Sequence, residues 1–272
     1  MDEKVALHTA VRRYCMGRWS FWTGCYSERS ISAQHPEAQD IYPRYHVVDA
    51  ILADIESVQP HEMSTVEELR SILIVAGQTA QSMFTRPHND IAARAMQEER
   101  DLFCQYMRNL APVDLANVKP LPYRRTLSTD EHRHLWAQMR GRWNVQEGNY
   151  WHPLMGLDLP QNVIAFQQAW FDAALPPAAL QGILAEHGVA RVWELREYGP
   201  EYEIELAEME PEYTGAEGYW TSSTMDWLIY ASHESSITVA GEWLMAEVKA
   251  AWPEWEQHIY TGWDYPLPPR HG

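Results

Sequence analysis

A chain of 272 residues that is 46% hydrophobic and 22% charged has the make-up of a folded protein, which excludes a disordered one. Its formal net charge of −17 disfavours direct binding to nucleic acid or to an anionic membrane, whose phosphates such a field repels. No stretch reaches the ~18 uninterrupted apolar residues that a spanning helix needs, and the acidic start MDEK precedes no apolar leader, so a soluble cytoplasmic protein of two domains is expected.

The first 110 residues read as helices. Val5, Leu7, Val11, Cys15, Trp19 and Trp22 recur at helical spacing, and YPRYHVVDAILADIESV continues the theme after a Pro-containing break. Ser64 and Glu67 in STVE form a capping-box pattern before LRSILIVAGQTAQSMF, and a further helix is expected over about 90–110. Cys15, Cys25 and Cys104 lack the close pairing of a CxxC motif and are expected to be buried free thiols. APVDLANVKPLP, residues 111–122, holds three prolines and no periodicity, so it reads as a connector.

After the connector, YRRTL predicts a short strand, and STDE at 128–131 a second capping box opening a helix through about Trp143. YWHPL predicts another strand. QNVIAFQQAWFDA and PPAALQGILAEHG predict two short helices, the second started by Pro177 and stopped by Gly188. From 190 the period becomes two: in EYEIEL, Tyr202, Ile204 and Leu206 alternate with Glu201, Glu203 and Glu205, which puts the glutamates on a wet face. RVWELREY joins this strand across a Gly199-Pro200 turn. DWLIYAS and SITVAG supply further strands around a HESS turn, and EWLMAEVKAAW a closing helix. The expected fold is α+β: a helical bundle over 1–115 packed on a domain over 116–272 with an acidic antiparallel sheet and helices. Eleven of the 13 tryptophans lie between 136 and 263, which predicts an aromatic-rich core beside that sheet.

The candidate chemistry is thin. Ser232, His233 and Glu234 are adjacent, but on a strand His233 points away from its two neighbours, so they cannot form a triad with one another, and no G-x-S-x-G accompanies them. His132 and His134 are two apart on a helix and diverge, and no HExxH occurs, so no metal site is expected. Neither a dinucleotide nor a phosphate loop motif is present, and no cofactor is expected. The enzymatic alternative is a hydrolase gathering His233, Ser232, Glu234 or His152 from separated segments.

The charge is localised. From Glu194 to Glu256 there are 15 acidic residues against Arg196 and Lys249 alone. Such a field suits a basic protein partner, met by Glu201, Glu203, Glu205, Glu208, Glu210 and Glu212 with Tyr198, Tyr202, Tyr213 and Trp220 as aromatic anchors. DWLIYASHESSITVAGEWL, followed by VKAAWPEW, resembles the carboxyl-terminal part of small bacterial proteins of the toxin-immunity type, over about 60 residues at most. That resemblance implies a cytoplasmic, non-enzymatic inhibitor that sequesters a toxin domain.

Overall fold

The computed structural model describes residues 2–29, 35–155, 159–160 and 162–262. The chain divides into two compact units, Met1–Leu121 and Pro122–Gly272.

The first unit is helical: α1 Glu3–Arg29, α2 Pro36–Ser57, α3 Val66–Thr79, α4 Asp90–Asn109 and the single turn α5 Pro112–Leu115, which occupies part of the proline-rich connector. Helical spacing puts Leu7, Val11 and Cys15 of α1 on one stripe, which packs with Ile51 and Ile55 of α2, Leu73 of α3, and Phe103 and Met107 of α4. The cap of α3 sits one residue later than STVE suggests. Thr65 Oγ1 accepts from Glu68 N at 3.0 Å, and Ser64 N donates to Glu68 Oε2 at 2.8 Å, because adjacent hydroxyls and adjacent glutamates offer two registers. Several polar groups that enter this core are matched. Arg100 donates to the Gly77 and Ala80 carbonyls at the end of α3, at 3.0 and 2.6 Å. The buried Glu99 accepts from Arg18 at 3.0 Å, Arg44 at 3.3 Å and Trp22 Nε1 at 3.1 Å. Burial drives the His8 pKa down to about 4, so its neutral ring donates from Nε2 to the Ile55 carbonyl at 2.9 Å.

The second unit contains β1 Arg124–Thr126, α6 Thr129–Trp143, β2 Val163–Gln167, α7 Gln168–Ala174, α8 Pro177–Glu186, β3 Arg191–Arg196, β4 Tyr202–Glu205, β5 Gly218–Thr221, β6 Leu228–Ala231, β7 Ser236–Ala240 and α9 Glu242–Ala251. Among the described residues the strands form one antiparallel sheet in the order β1-β4-β3-β5-β6-β7-β2. The fold is α+β. Ser128 and Glu131 form the capping box of α6, and Gly188 takes the left-handed conformation after α8.

Three elements differ from the local reading. Residues 163–167 form an edge strand rather than a helix, because pairing with β7 from Val163↔Ala240 to Gln167↔Ser236 outweighs a short apolar run that suits either state. YWHPL makes a turn, in which the buried Trp151 donates from Nε1 to the Trp143 carbonyl at 3.1 Å. GYWT becomes β5, a central strand whose four residues are all buried, so it shows no alternation to read.

Each face of the sheet has its own core. Val192, Ile204, Trp220, Ile229, Ile237 and Val239 pack with Leu180 and Leu184 of α8 and with Leu244 and Val248 of α9. On the other face, Leu195, Tyr219, Leu228 and Tyr230 meet Trp136, Met139 and Trp143 of α6, with Trp151. The aromatic-rich core beside the sheet is therefore present on both sides. Gly241 turns the chain from β7 into α9 at φ +113°, and a Cβ there would lie 2.5 Å from the Asp226 carbonyl oxygen.

Gly241→Ala should lower stability by about 2–3 kcal/mol, from a left-handed backbone and a backbone clash. Gly17→Ala, on an open part of α1 with nothing within 4 Å of the new Cβ, should raise it by ~0.5–1 kcal/mol. Urea denaturation of both variants checks the pair; equal effects would contradict the assigned backbone.

Candidate functional site

The hairpin of β6 and β7 closes through Ser232–Ser235, and the closure decides where each polar group goes. Ser232 N donates to the Ser236 carbonyl at 3.0 Å, and the two hydroxyls lie 2.8 Å apart, which seals both serines inside. Ser235 completes the turn at φ +55°. His233 projects outward between two carboxylates. Its Nδ1 meets Glu217 Oε1, the oxygen that also accepts its backbone N–H at 3.2 Å, and its Nε2 lies 3.0 Å from Glu234 Oε1. Glu217, just ahead of β5, is fully buried. The Glu217 hydrogen bond, aided by the Glu217, Glu234 and Glu197 charges and opposed by burial, raises the His233 pKa above its ordinary 6.5.

Three tyrosines surround this group. The Tyr150 and Tyr213 rings stand 5.0 and 6.1 Å from the His233 ring, centroid to centroid. Tyr198, whose hydroxyl donates to the Gly215 carbonyl, adjoins Tyr213, Tyr150, Glu197 and Glu217; burial first, then these neighbours, raises its phenol pKa. Tyr150 is 42% exposed, Tyr213 40% and Tyr198 37%. Among the described residues no other tryptophan, tyrosine or phenylalanine of this unit is as open to solvent. The result is an aromatic and acidic patch assembled from the 144–155 loop, the β3–β4 connection, the segment before β5 and the β6–β7 turn.

The residues expected to contact a partner divide into two groups. Glu205, Glu208, Glu210, Glu212, Tyr198 and Tyr213 are exposed. Glu201, Glu203, Tyr202 and Trp220 are not, which corrects the wet face expected of the two glutamates and the exposure that an anchoring role asks of the two aromatic rings. Glu201 is buried, its Oε1 accepting from Trp136 Nε1 and its Oε2 meeting His132 Nδ1, both at 2.6 Å, so it ties α6 to the sheet. Burial raises its pKa, with these two partners opposing. Glu203 is half-buried and accepts from the Tyr123 hydroxyl at 2.9 Å and from Arg125 at 3.2 Å, with Arg191 at 3.5 Å. The Tyr202 ring lies beneath the Arg124 guanidinium at 3.7 Å, and Trp220 fills the core over Gly218. The physical reason is β1 for Glu203 and Tyr202, which Arg125 and Arg124 cover, and α6 for Glu201.

The exposed glutamates are the unspent charge. Glu205, Glu208, Glu210 and Glu212 have no salt-bridge partner among the described residues. Glu210 and Glu212 border a hollow of about 160 Å³ lined by Phe171, Leu175 and Leu180. Lost solvation there, together with the Glu212 charge, pushes Asp172 up to about 6. A larger cavity of about 560 Å³ lies among His187, Arg191, Trp193, Asp226 and Trp243. Trp243 Nε1 donates to Asp226 at 2.9 Å, and His187 stacks on Trp243 and meets Glu247 at 3.1 Å.

Among the described residues, the Ser232 and His233 side chains make no hydrogen bond to one another. Ser232 Oγ is held by Ser236, both nitrogens of His233 face carboxylates, and His152 contributes its carbonyl to Thr238 Oγ1 at 2.6 Å. His132 turns to Glu201 and Glu147, and among the described residues no group of three His, Cys, Asp or Glu side chains could hold a metal ion. Sequence reasoning missed Tyr150, Glu197 and Glu217. The available signal for Glu217 was a single acid in the apolar stretch AEGYW, which needs a cation brought by another strand. Comparison of the chain with protein-family models, with curated proteins and with solved structures returns no match.

Glu201→Ala should cost about 3 kcal/mol, because it strands a buried indole N–H and removes one of the two carboxylates on His132, whereas Glu205→Gln should stay within ~0.5 kcal/mol. Thermal and denaturant unfolding of the two variants distinguishes the internal glutamate from the free one.

Proposed function

We propose that this chain acts by binding and that its second unit neutralises a basic protein partner. The supporting observation is the run from Glu205 to Tyr213, in which four exposed glutamates without salt bridges lead directly into the tyrosine patch around His233. Long-range attraction speeds the encounter of such a surface with a basic one, and aromatic rings in a partly dry patch supply anchors that slow release. A tyrosine ring beside carboxylates also suits a lysine or arginine side chain, through the ring face and the charge together. A nuclease-like toxin domain has the required chemistry, since its cleft must be positive to hold phosphates. The immunity-type resemblance of residues 226–244 points the same way.

The test is kinetic, against the product of a gene adjacent to this chain's own, which the proposal expects to be basic. Replacing Glu205, Glu208, Glu210 and Glu212 with Gln should slow association several-fold and flatten its salt dependence, because exposed charges are screened over about 10 Å at 0.1 M salt. Tyr198→Ala with Tyr213→Ala should instead speed dissociation. A neighbouring gene product that is acidic, or association equally fast and salt-independent in wild type and variant, would remove the proposal's support.

A further inference from the structure

The His233 bridge has an arithmetic of protons that the fold makes consequential. Nδ1 of the ring is hydrogen-bonded to Glu217, while Nε2 stands 3.0 Å from Glu234 Oε1 at ion-pair distance, a contact that favours the imidazolium over a neutral ring whose Nε2 lone pair would face that carboxylate. The two carboxylates are not equivalent. Glu217 is fully buried and held by both the ring and the backbone N–H of His233, whereas Glu234 sits on the turn and keeps 17% of its side chain exposed. Glu217 Oε2 is also buried with no partner at hydrogen-bond geometry, beside the Tyr230 phenol, so this carboxylate relies on His233 for its nearby cation. Glu234 Oε2 is likewise unpartnered.

We propose that the β6–β7 turn is a proton-operated clasp: the imidazolium of His233 holds Glu217 and Glu234 together, and loss of the proton releases Glu234 while Glu217 keeps the ring through Nδ1–H. The Nε2 lone pair then faces the Glu234 carboxylate, which repels it. The groups that face His233 are Glu217 ahead of β5, Glu234 in the turn, Glu197 in the β3–β4 connection, and the Tyr150 and Tyr213 phenols. Among the described residues no other cation takes part. Release is assisted by Ser235, a non-glycine residue held at φ +55° immediately after Glu234. Deprotonation changes the charge of the trio from −1 to −2 beside the exposed tyrosines. The regulatory consequence rests on the binding function proposed above: a rise in pH strengthens capture of a basic side chain. The clasp itself does not depend on that function.

The sign follows from the raised pKa. The stabilisation contributed by the bridge is full below the ordinary histidine value of 6.5 and is lost as pH rises through the higher folded value. Nitrogen and carbon NMR of the histidine side chains in the full chain, from pH 5 to 9, reads the midpoint and the tautomer. His233 should titrate above 6.5 with the neutral ring protonated at Nδ1, and the Glu234 and Ser235 amides should move with the same midpoint. Glu234→Gln should lower that midpoint without unfolding the protein. A His233 midpoint at or below 6.5, or Glu234 and Ser235 amides that ignore it, would overturn the clasp. A lysine-rich decapeptide titrated on either side of the midpoint tests the consequence. Binding several-fold tighter on the alkaline side, abolished in His233→Gln, supports it. Equal binding with the NMR transition intact would overturn the regulation and leave the clasp standing. No NMR transition with tight, pH-independent binding would overturn the clasp and its regulation together and leave the binding function standing.

Discussion

The three central strands β5, β6 and β7 are buried on both faces, and the organisation of the second unit follows from that constraint. A strand so placed needs apolar cover above and below, which α7, α8 and α9 provide on one side and α6 with its tryptophans on the other. Several polar side chains within these strands find partners inside. Thr221 Oγ1 donates to the Trp227 carbonyl at 2.6 Å, and Ser232 and Ser236 satisfy one another. Carboxylates can reach water only at strand ends and in connections, so the exposed chemistry gathers at the rims of the sheet.

That constraint sorts an acidic segment into two populations. Glu194, Glu201, Glu203 and Glu217 lie inside or half inside, and each is matched by a guanidinium or an imidazole. Arg124 and Arg125 on the edge strand β1 do much of this, and Arg124 also covers the Tyr202 ring. A carboxylate brought indoors costs several kcal/mol unless a cation comes with it, so these pairs reflect necessity more than added stability. The glutamates beyond β4 escape this demand and keep their charge. An acidic composition thus overstates the surface field, since part of it is neutralised within the fold.

The patch around His233 joins the two populations. Glu217 belongs to the interior and Glu234 to the surface, and a single histidine holds both. Histidine is the side chain whose ordinary pKa allows such a bridge to open and close near neutral pH. The surrounding tyrosines are exposed because the β3–β4 connection and the segment before β5 carry them past the end of the apolar core. Buried charge and exposed aromatic surface therefore meet at one turn.

The sequence by itself determined the helical character of the first 110 residues, the capping box of α6, the stop at Gly188 and the β3–β4 hairpin, since each is written in residues within a few positions of one another. It also located the charge, and two of the aromatic anchors it suggested, Tyr198 and Tyr213, are exposed. Only the tertiary structure decided that VIAFQ is a strand, that GYWT is a central one, and that Glu201 and Glu203 face partners rather than water. The signals differ in range. Caps and periodicity are local, whereas the fate of a carboxylate or a short apolar run depends on which distant strand or helix lies beside it, as Arg125 does for Glu203, Trp136 for Glu201 and His233 for Glu217.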